Sequence, residues 1–409
     1  MMRILTVAIL IIAGAAGAQG MSIDEAVTAA LSHNPELQAL RLEEETARAQ
    51  LEKSNLPLIA NPVIEGAGSK TEKLPEEGSG KFTNYGFKLS QEFEIAGQRG
   101  MRIDVAKKNL ERVSYEIRDR ERTLVYDVKD AFIRALASKE REALAREVVR
   151  LQEALLAFTK IKHQAGAVSG LEVNLAEVEL SKAKRDVLSA GRELKEGVLA
   201  LQGVVGLGPG NGLSVEGELS LETVSIPDKG SLKERSAQLR PDIKATTLEV
   251  DRTKRALDLV KREAVPNITL AGFFDRDEGK NGVGATLSVS IPLFDTKQAE
   301  KKEAMARASQ ARIRRAALEK TVEREIDEAH SNLTASREEL SLYKKEIISK
   351  SSENLDLLSL AYKEGKIGFF DVTVAQKQTF EIQFAYLETM VRARRAVHAI
   401  ERAIGGEVK

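Results

Sequence analysis

The chain has neither cysteine nor tryptophan. The missing cysteines exclude disulfides, thiolate metal sites, a cysteine nucleophile and a lipid-bearing N-terminal cysteine, and they suit export to an oxidising compartment. An excess of one charge is missing as well: 62 basic residues stand against 62 acidic ones, so no broad electrostatic grip on nucleic acid is expected. Beyond residue 20 no uninterrupted apolar run reaches about 18 residues, so no transmembrane helix is expected. Proline and glycine are scarce in two long tracts. Residues 99–164 contain one glycine, Gly100, and no proline, and residues 297–364 contain neither.

What is present begins with an export signal. Arg3 precedes a short apolar run at 4–13 and the small-residue stretch Ala16-Gly17-Ala18, which predicts a cleaved secretory peptide over residues 1–18 and a mature start at Gln19. The run is about half a membrane-spanning helix, and an apolar helix that stays attached is the alternative.

The two breaker-poor tracts are dense in Glu, Lys, Arg, Ala and Leu, the strong helix formers, and each predicts a helix about 100 Å long. Such a helix needs long helical neighbours to bury its apolar seam. The seam is of coiled-coil type, since Ile326, Ala329, Leu333, Ser336, Leu340, Tyr343 and Ile347 recur by alternating threes and fours. Leu180, Ala183, Val187, Ala190, Leu194, Gly197 and Leu201 share one register with Thr379, Ile382, Tyr386, Thr389, Ala393, Ala396 and Ile400. Many of these seats are small, which lets helices approach closely, as a curved wall of many helices requires. An ordinary helical bundle core is the other reading.

Other segments have period two. Val283, Ala285, Leu287, Val289, Ile291 and Leu293 alternate with small or polar residues, and Tyr85, Phe87, Leu89 and Phe93 do the same with Gln91 out of phase. Partner strands are predicted at 62–69 and 268–275, joined to them by polar loops at 70–81 and 277–282. Seven of the 18 aromatics lie in or beside these strands. Alternating strands of about ten residues flanked by aromatics are the signature of an outer-membrane barrel, with Phe87, Leu89, Leu287, Val289 and Ile291 facing the membrane. A small soluble sheet packed on the helices is the alternative. Four strands cannot close a barrel, and an open edge in lipid leaves backbone groups unsatisfied, so the hairpins must pair with those of other chains.

The same plan is written twice. At an offset of 206, Asn34-Pro35-Glu36-Leu37 falls on Arg240-Pro241-Asp242-Ile243; at 198, Leu89-Ser90 falls on Leu287-Ser288; at 199, Gly166 falls on Gly365 and Val173 on Val372. A repeat of about 200 residues is a duplicated domain rather than a solenoid unit. The expected organisation is a signal peptide at 1–18, a first repeat at 19–202, a linker at 203–229, a second repeat at 230–404 and a tail at 405–409.

No catalytic constellation is found. His33, His163, His330 and His398 are scattered without a second histidine at ligand spacing, and the G-x-G-x-G stretch at 208–212 lacks a Walker lysine-serine pair. No enzyme activity, metal or cofactor is expected.

Three blocks carry a resemblance: Ser22-Ile23-Asp24-Glu25-Ala26 with His33-Asn34-Pro35; Gln91-Glu92-Phe93-Glu94-Ile95-Ala96-Gly97-Gln98-Arg99-Gly100 with Arg102; and Tyr362-Lys363-Glu364-Gly365-Lys366-Ile367-Gly368-Phe369-Phe370-Asp371-Val372 with Ala375-Gln376. Over nearly all of the mature chain the sequence resembles the TolC family of outer-membrane efflux proteins, the second block being similar to its heavy-metal-resistance, CzcC-like branch. The resemblance implies a mainly α fold with a small β part. Long coiled-coil hairpins form a periplasmic α-barrel, and four strands per chain contribute to a twelve-stranded transmembrane β-barrel in a homotrimer. It further implies an exit duct through the outer membrane, in contact with its lipid, that serves a periplasmic adaptor and an inner-membrane pump of the resistance-nodulation-division type. Metal cations or drugs are the cargo so implied. A type I protein-secretion duct and a poreless periplasmic coiled-coil scaffold are the alternatives.

By the same resemblance, Gly166, Val168, Gly365 and Ile367 at the two helix turns are the adaptor-docking candidates. Turn glycines with a covering aliphatic are the plainer account of them. Asp371 matches a family acid that projects into the closed tunnel. The family's second acid, one turn on, is replaced by Val374, so a single carboxylate ring is expected, unless Asp371 only caps its helix.

Overall fold

The computed structural model describes residues 19–73, 80–208, 213–219, 228–343 and 345–407. The expected signal peptide at 1–18, most of the glycine stretch at 208–212 and the last two residues of the tail lie outside them. The elements run β1(Gln19–Met21), α1(Ile23–His33), α2(Pro35–Ser54), β2(Val63–Lys73), β3(Gly80–Phe93), α3(Gln98–Gln164), α4(Gly170–Val205), β4(Leu213–Val215), α5(Lys229–Leu239), α6(Pro241–Glu263), β5(Ile268–Asp277), β6(Lys280–Val289), α7(Gln298–Leu342), α8(Lys345–Lys363) and α9(Phe369–Ile404). Two short helices, a hairpin and long helices recur, and Pro35 and Pro241 both open a helix at the first position, where a missing N–H costs nothing.

The compact units cut across the repeats. One gathers residues up to 38, 120–239 and 322 onward; the other gathers 39–119 and 240–321.

Among its described residues the first unit is helical apart from loops and one short parallel ladder, β1 on β4, whose residues carry no period legible in the sequence. Ser22 opens α1 with a full capping box: its N–H donates to Glu25 Oε2 at 2.8 Å and its hydroxyl accepts from Glu25 N–H. The predicted seams are buried at Ala183, Ala190, Leu201, Thr379, Thr389, Ala393, Ala396 and Ile400, and at Ile326, Ala329, Leu333 and Ser336. Small seats have the expected use, since a Cβ added at Gly197 would stand 3.2 Å from Ala135 Cα. The 297–364 tract is a correction: it forms two helices, α7 and α8, with Tyr343 in a turn between them and Ile347 exposed. No residue there forbids a helix, and nothing in the structure explains the interruption. α4 runs through Gly203 to Val205 and stops at Gly206, whose φ of +84° and whose 2.8 Å from an added Cβ to His33 O leave room only for glycine.

The second unit holds a four-stranded antiparallel sheet of order β2-β3-β5-β6. The central β3–β5 pairing joins one hairpin from each half, leaving β2 and β6 as edges that run in opposite directions. The turn between β5 and β6 is tighter than the predicted loop: Asp277 pairs with Lys280 across Glu278 and Gly279, both with positive φ, the two-residue turn that matches strand twist. β6 also stops earlier than its alternation suggests. It ends at Val289, opposite Ile268, because β5 begins after Pro266-Asn267 and Pro292 follows; Ile291 lies beyond the strand.

Candidate functional site

In the first unit, α3 turns into α4 and α8 into α9 by the same device at an offset of 199. Gly166 N–H donates to His163 O and Ala167 N–H to Lys162 O, both at 2.9 Å; Gly365 N–H donates to Tyr362 O at 3.1 Å and Lys366 N–H to Ala361 O at 2.9 Å. These are paired helix-ending bonds that require a left-handed residue, and the glycines have φ of +71° and +76°. A Cβ at either would meet no atom within 4 Å, so the tips present bare backbone. Val168 and Ile367 are half-buried one residue past the turn, and Ile367 packs on the core beneath.

That core joins the two hairpins. Leu155, Ala176, Tyr362, Phe369 and Val372 are buried together. The Tyr362 hydroxyl meets Thr159 Oγ1 at 3.1 Å, and burial pushes its phenol above the ordinary value. Lys162 Nζ donates to Tyr362 O at 2.5 Å and sits 4.1 Å from the centre of its ring. Sequence pattern assigns Thr159 and Lys162 no role; the available signal is the pair of aromatics three before and four after Gly365.

Asp371 lies exposed in the first turn of α9, and its Oδ2 accepts from Gly368 N–H at 3.0 Å. The side chain therefore caps the helix, and Val374 stands exposed one turn on.

In the second unit the strand register sorts the sheet into two faces. Ile64, Tyr85, Phe87, Leu89, Phe93, Leu270, Phe274, Val283, Leu287 and Val289 share one; Glu65, Asn84, Lys88, Glu92, Thr286 and Ser288 share the other. On β3 the apolar face is the more open, Phe87 being 59 % and Leu89 54 % exposed while Lys88, Ser90 and Glu92 are half-buried; on β6 both faces are exposed, Leu287 at 67 % and Ser288 beside it. The polar face ties itself together, with Lys88 Nζ 3.1 Å from Glu65 and Asn267 Nδ2 donating to Glu92 at 2.7 Å. A soluble sheet packed on helices would bury its apolar face; this one leaves it bare. Phe87, Leu89, Leu287 and Val289 lie together on that face, and Ile291 does not belong to the strand. At the junction of β3 and α3, Gln98 is fully buried: its Oε1 accepts from Ala96 N–H at 2.8 Å and its Nε2 reaches Val265 O and Asn267 Oδ1 at 3.3 Å.

Residues 26–207 and 232–406 match the family described as outer membrane efflux protein. Cobalt-zinc-cadmium resistance protein CzcC of Cupriavidus metallidurans is 23 % identical over 315 residues, 76 % of this chain and 75 % of that one. Pyoverdine export outer membrane protein OpmQ of Pseudomonas aeruginosa is 21 % identical over 333 residues, covering 78 % and 69 %. The fold is that of the CmeC outer membrane channel of Campylobacter jejuni, with a TM-score of 0.79 at 15 % identity over 95 % of this chain and 86 % of that one. The family match covers most of both halves of a chain whose sheet has an exposed apolar face and whose long helices are seamed for helical neighbours: it belongs to the outer membrane efflux protein family.

Proposed function

We propose that this outer-membrane efflux protein works as a homotrimer, a passive duct to which a periplasmic adaptor and an inner-membrane pump of the resistance-nodulation-division type deliver cargo. The observation that carries the reading is the four-stranded sheet with its bare apolar face and two open, oppositely directed edges. One chain cannot satisfy those edges in lipid, whereas three copies placed edge to edge continue the antiparallel order into a closed twelve-stranded barrel. The apolar face then meets outer-membrane lipid.

Docking falls to the tips. Gly166 and Gly365 offer backbone unobstructed by side chains, with Val168 and Ile367 beside them for the adaptor to cover. Asp371, exposed beside the second tip, supplies the carboxylate of a single ring on the threefold axis, a filter favouring cations. Metal cations are the cargo this reading favours, because CzcC is a cobalt-zinc-cadmium resistance protein and the block at 91–102 resembles its branch. The chain performs no reaction of its own, and the pump supplies the energy.

The test is membrane fractionation with crosslinking, followed by planar-bilayer recording of the purified protein. The expected result is an outer-membrane species crosslinked to trimer that conducts ions. Recovery from the soluble periplasm, crosslinking that stops at dimer, or a silent bilayer would overturn it.

A further inference from the structure

Between the two helical hairpins of the first unit lies a cleft of about 470 Å³. Phe370, Val374, Phe380 and Phe384 are part of its apolar lining, and Gln152 and Gln376 are among its polar groups. Three of the chain's 12 phenylalanines thus meet at one place. Phe370 is 70 % and Val374 48 % exposed in the single chain.

Gln152 is 8 % exposed and its Nε2 donates to Gln376 Oε1 at 3.0 Å, while its own Oε1 is buried with no hydrogen-bond partner. A buried amide oxygen left unpaired is destabilising, so the site lacks one donor. Gln152 is one of the residues lining the cleft. Charge at the rim cancels: Lys182 lies 2.6 Å from Glu179 and Arg185 2.7 Å from Asp186, with Lys377 and Glu381 adding one of each sign. Nothing there selects an ion.

From the volume, the aromatic lining, the neutral rim and the one missing donor, we infer that the cleft binds a neutral, planar aromatic molecule carrying a single N–H or O–H donor. Its rings stack among Phe370, Phe380 and Phe384, and its donor bonds to Gln152 Oε1. Such a ligand touches α3 and α9 at once and so holds the two hairpins together.

The probe is N-phenyl-1-naphthylamine, a neutral diaryl amine with one N–H whose fluorescence rises in apolar surroundings. It is titrated into the purified protein in detergent, against the same detergent without protein. The expected result is a saturable component at one site per chain. Val374→Arg, at an exposed position that leaves the core intact, should weaken it at least tenfold, and Gln152→Leu, which removes the acceptor, about fivefold. Should Gln152→Leu fail to assemble, the Val374 variant alone decides. No saturable component, or one that Val374→Arg leaves unchanged, would overturn the inference. A protein that ignores the probe but binds a helical hairpin of the adaptor in a Val374-dependent way gives the cleft to that helix and equally overturns it.

Discussion

Asp371 caps α9, and the ring role proposed for it can be separated experimentally from that structural one. Its carboxylate accepts the Gly368 N–H at the start of α9, a bond that an asparagine oxygen also makes. Asp371→Asn should therefore leave trimer stability within about 0.5 kcal/mol, whereas Asp371→Ala should lose about 1 kcal/mol. In single-channel recordings both should lose cation preference and block by a trivalent cation. Unchanged selectivity in both variants would place Asp371 off the conduction path.

Glu401, near the end of α9, is the counterpart of purely structural charge. His398 Nδ1 lies 2.8 Å and Lys129 Nζ 3.0 Å from its Oε2. Burial pushes the carboxyl up, but the His398 bond and the Lys129 ammonium outweigh burial and hold it below its ordinary value of 4.5. An acid depressed in the folded state stabilises above its unfolded value, and that stabilisation is lost as pH falls through the folded one. Glu401→Gln should thus cost about 1–2 kcal/mol at neutral pH, and the gap to wild type should close below about pH 4.5. Thermal unfolding of both proteins across pH checks this; a gap that persists in acid would deny Glu401 its charged role.

At the scale of the element, the sheet is decided by which face is bare. Leu287 and Ser288 are adjacent in β6 and point to opposite faces, the first paired with Leu270 and the second with Thr269. If lipid covers the apolar face, Leu287→Arg costs about 2–4 kcal/mol near the bilayer midplane and should sharply reduce the yield of assembled protein in the outer membrane. Ser288→Arg, on the polar face, should assemble nearly as well as wild type. Equal yields would mean that lipid does not meet the apolar face. The helices follow a different rule, burying alternate small seats such as Ala393 and Thr389 so that backbones draw close, with Gly197 against Ala135 the tightest example.

At the scale of the molecule, duplication and folding do not coincide. The sheet is closed across its middle by β3 from the first half and β5 from the second, and the tip core takes Leu155 and Ala176 from one half and Tyr362, Phe369 and Val372 from the other. Neither half buries all of its apolar surface by itself. Residues 19–227 and 228–409 expressed separately should be degraded by limited proteolysis, and protection should return when they are exported together. A protease-resistant half on its own would show that each repeat is a folding unit.

The sequence by itself determined the element types. Long runs of good helix formers without breakers, a three-four apolar seam and an eleven-residue alternation are local patterns, and α3, the seams of α4 and α9, and the four strands follow them. Proline and glycine at the junctions set where helices begin and turn, as at Pro35, Pro241, Gly166 and Gly365. What only the tertiary structure decided are features whose partners lie far along the chain. The end of β6 before Ile291 depends on where β5 begins; Gln98 is buried by Val265 and Asn267; the β1–β4 ladder pairs residues about 190 positions apart. Lys162 and Thr159 acquired their contacts only when Tyr362 was brought to them from 200 residues away. Periodicity reports which face of an element is apolar, a property of neighbours in sequence. Which residues that face meets, and where a ladder stops, are set by backbone groups that find their hydrogen-bond partners only in the folded chain.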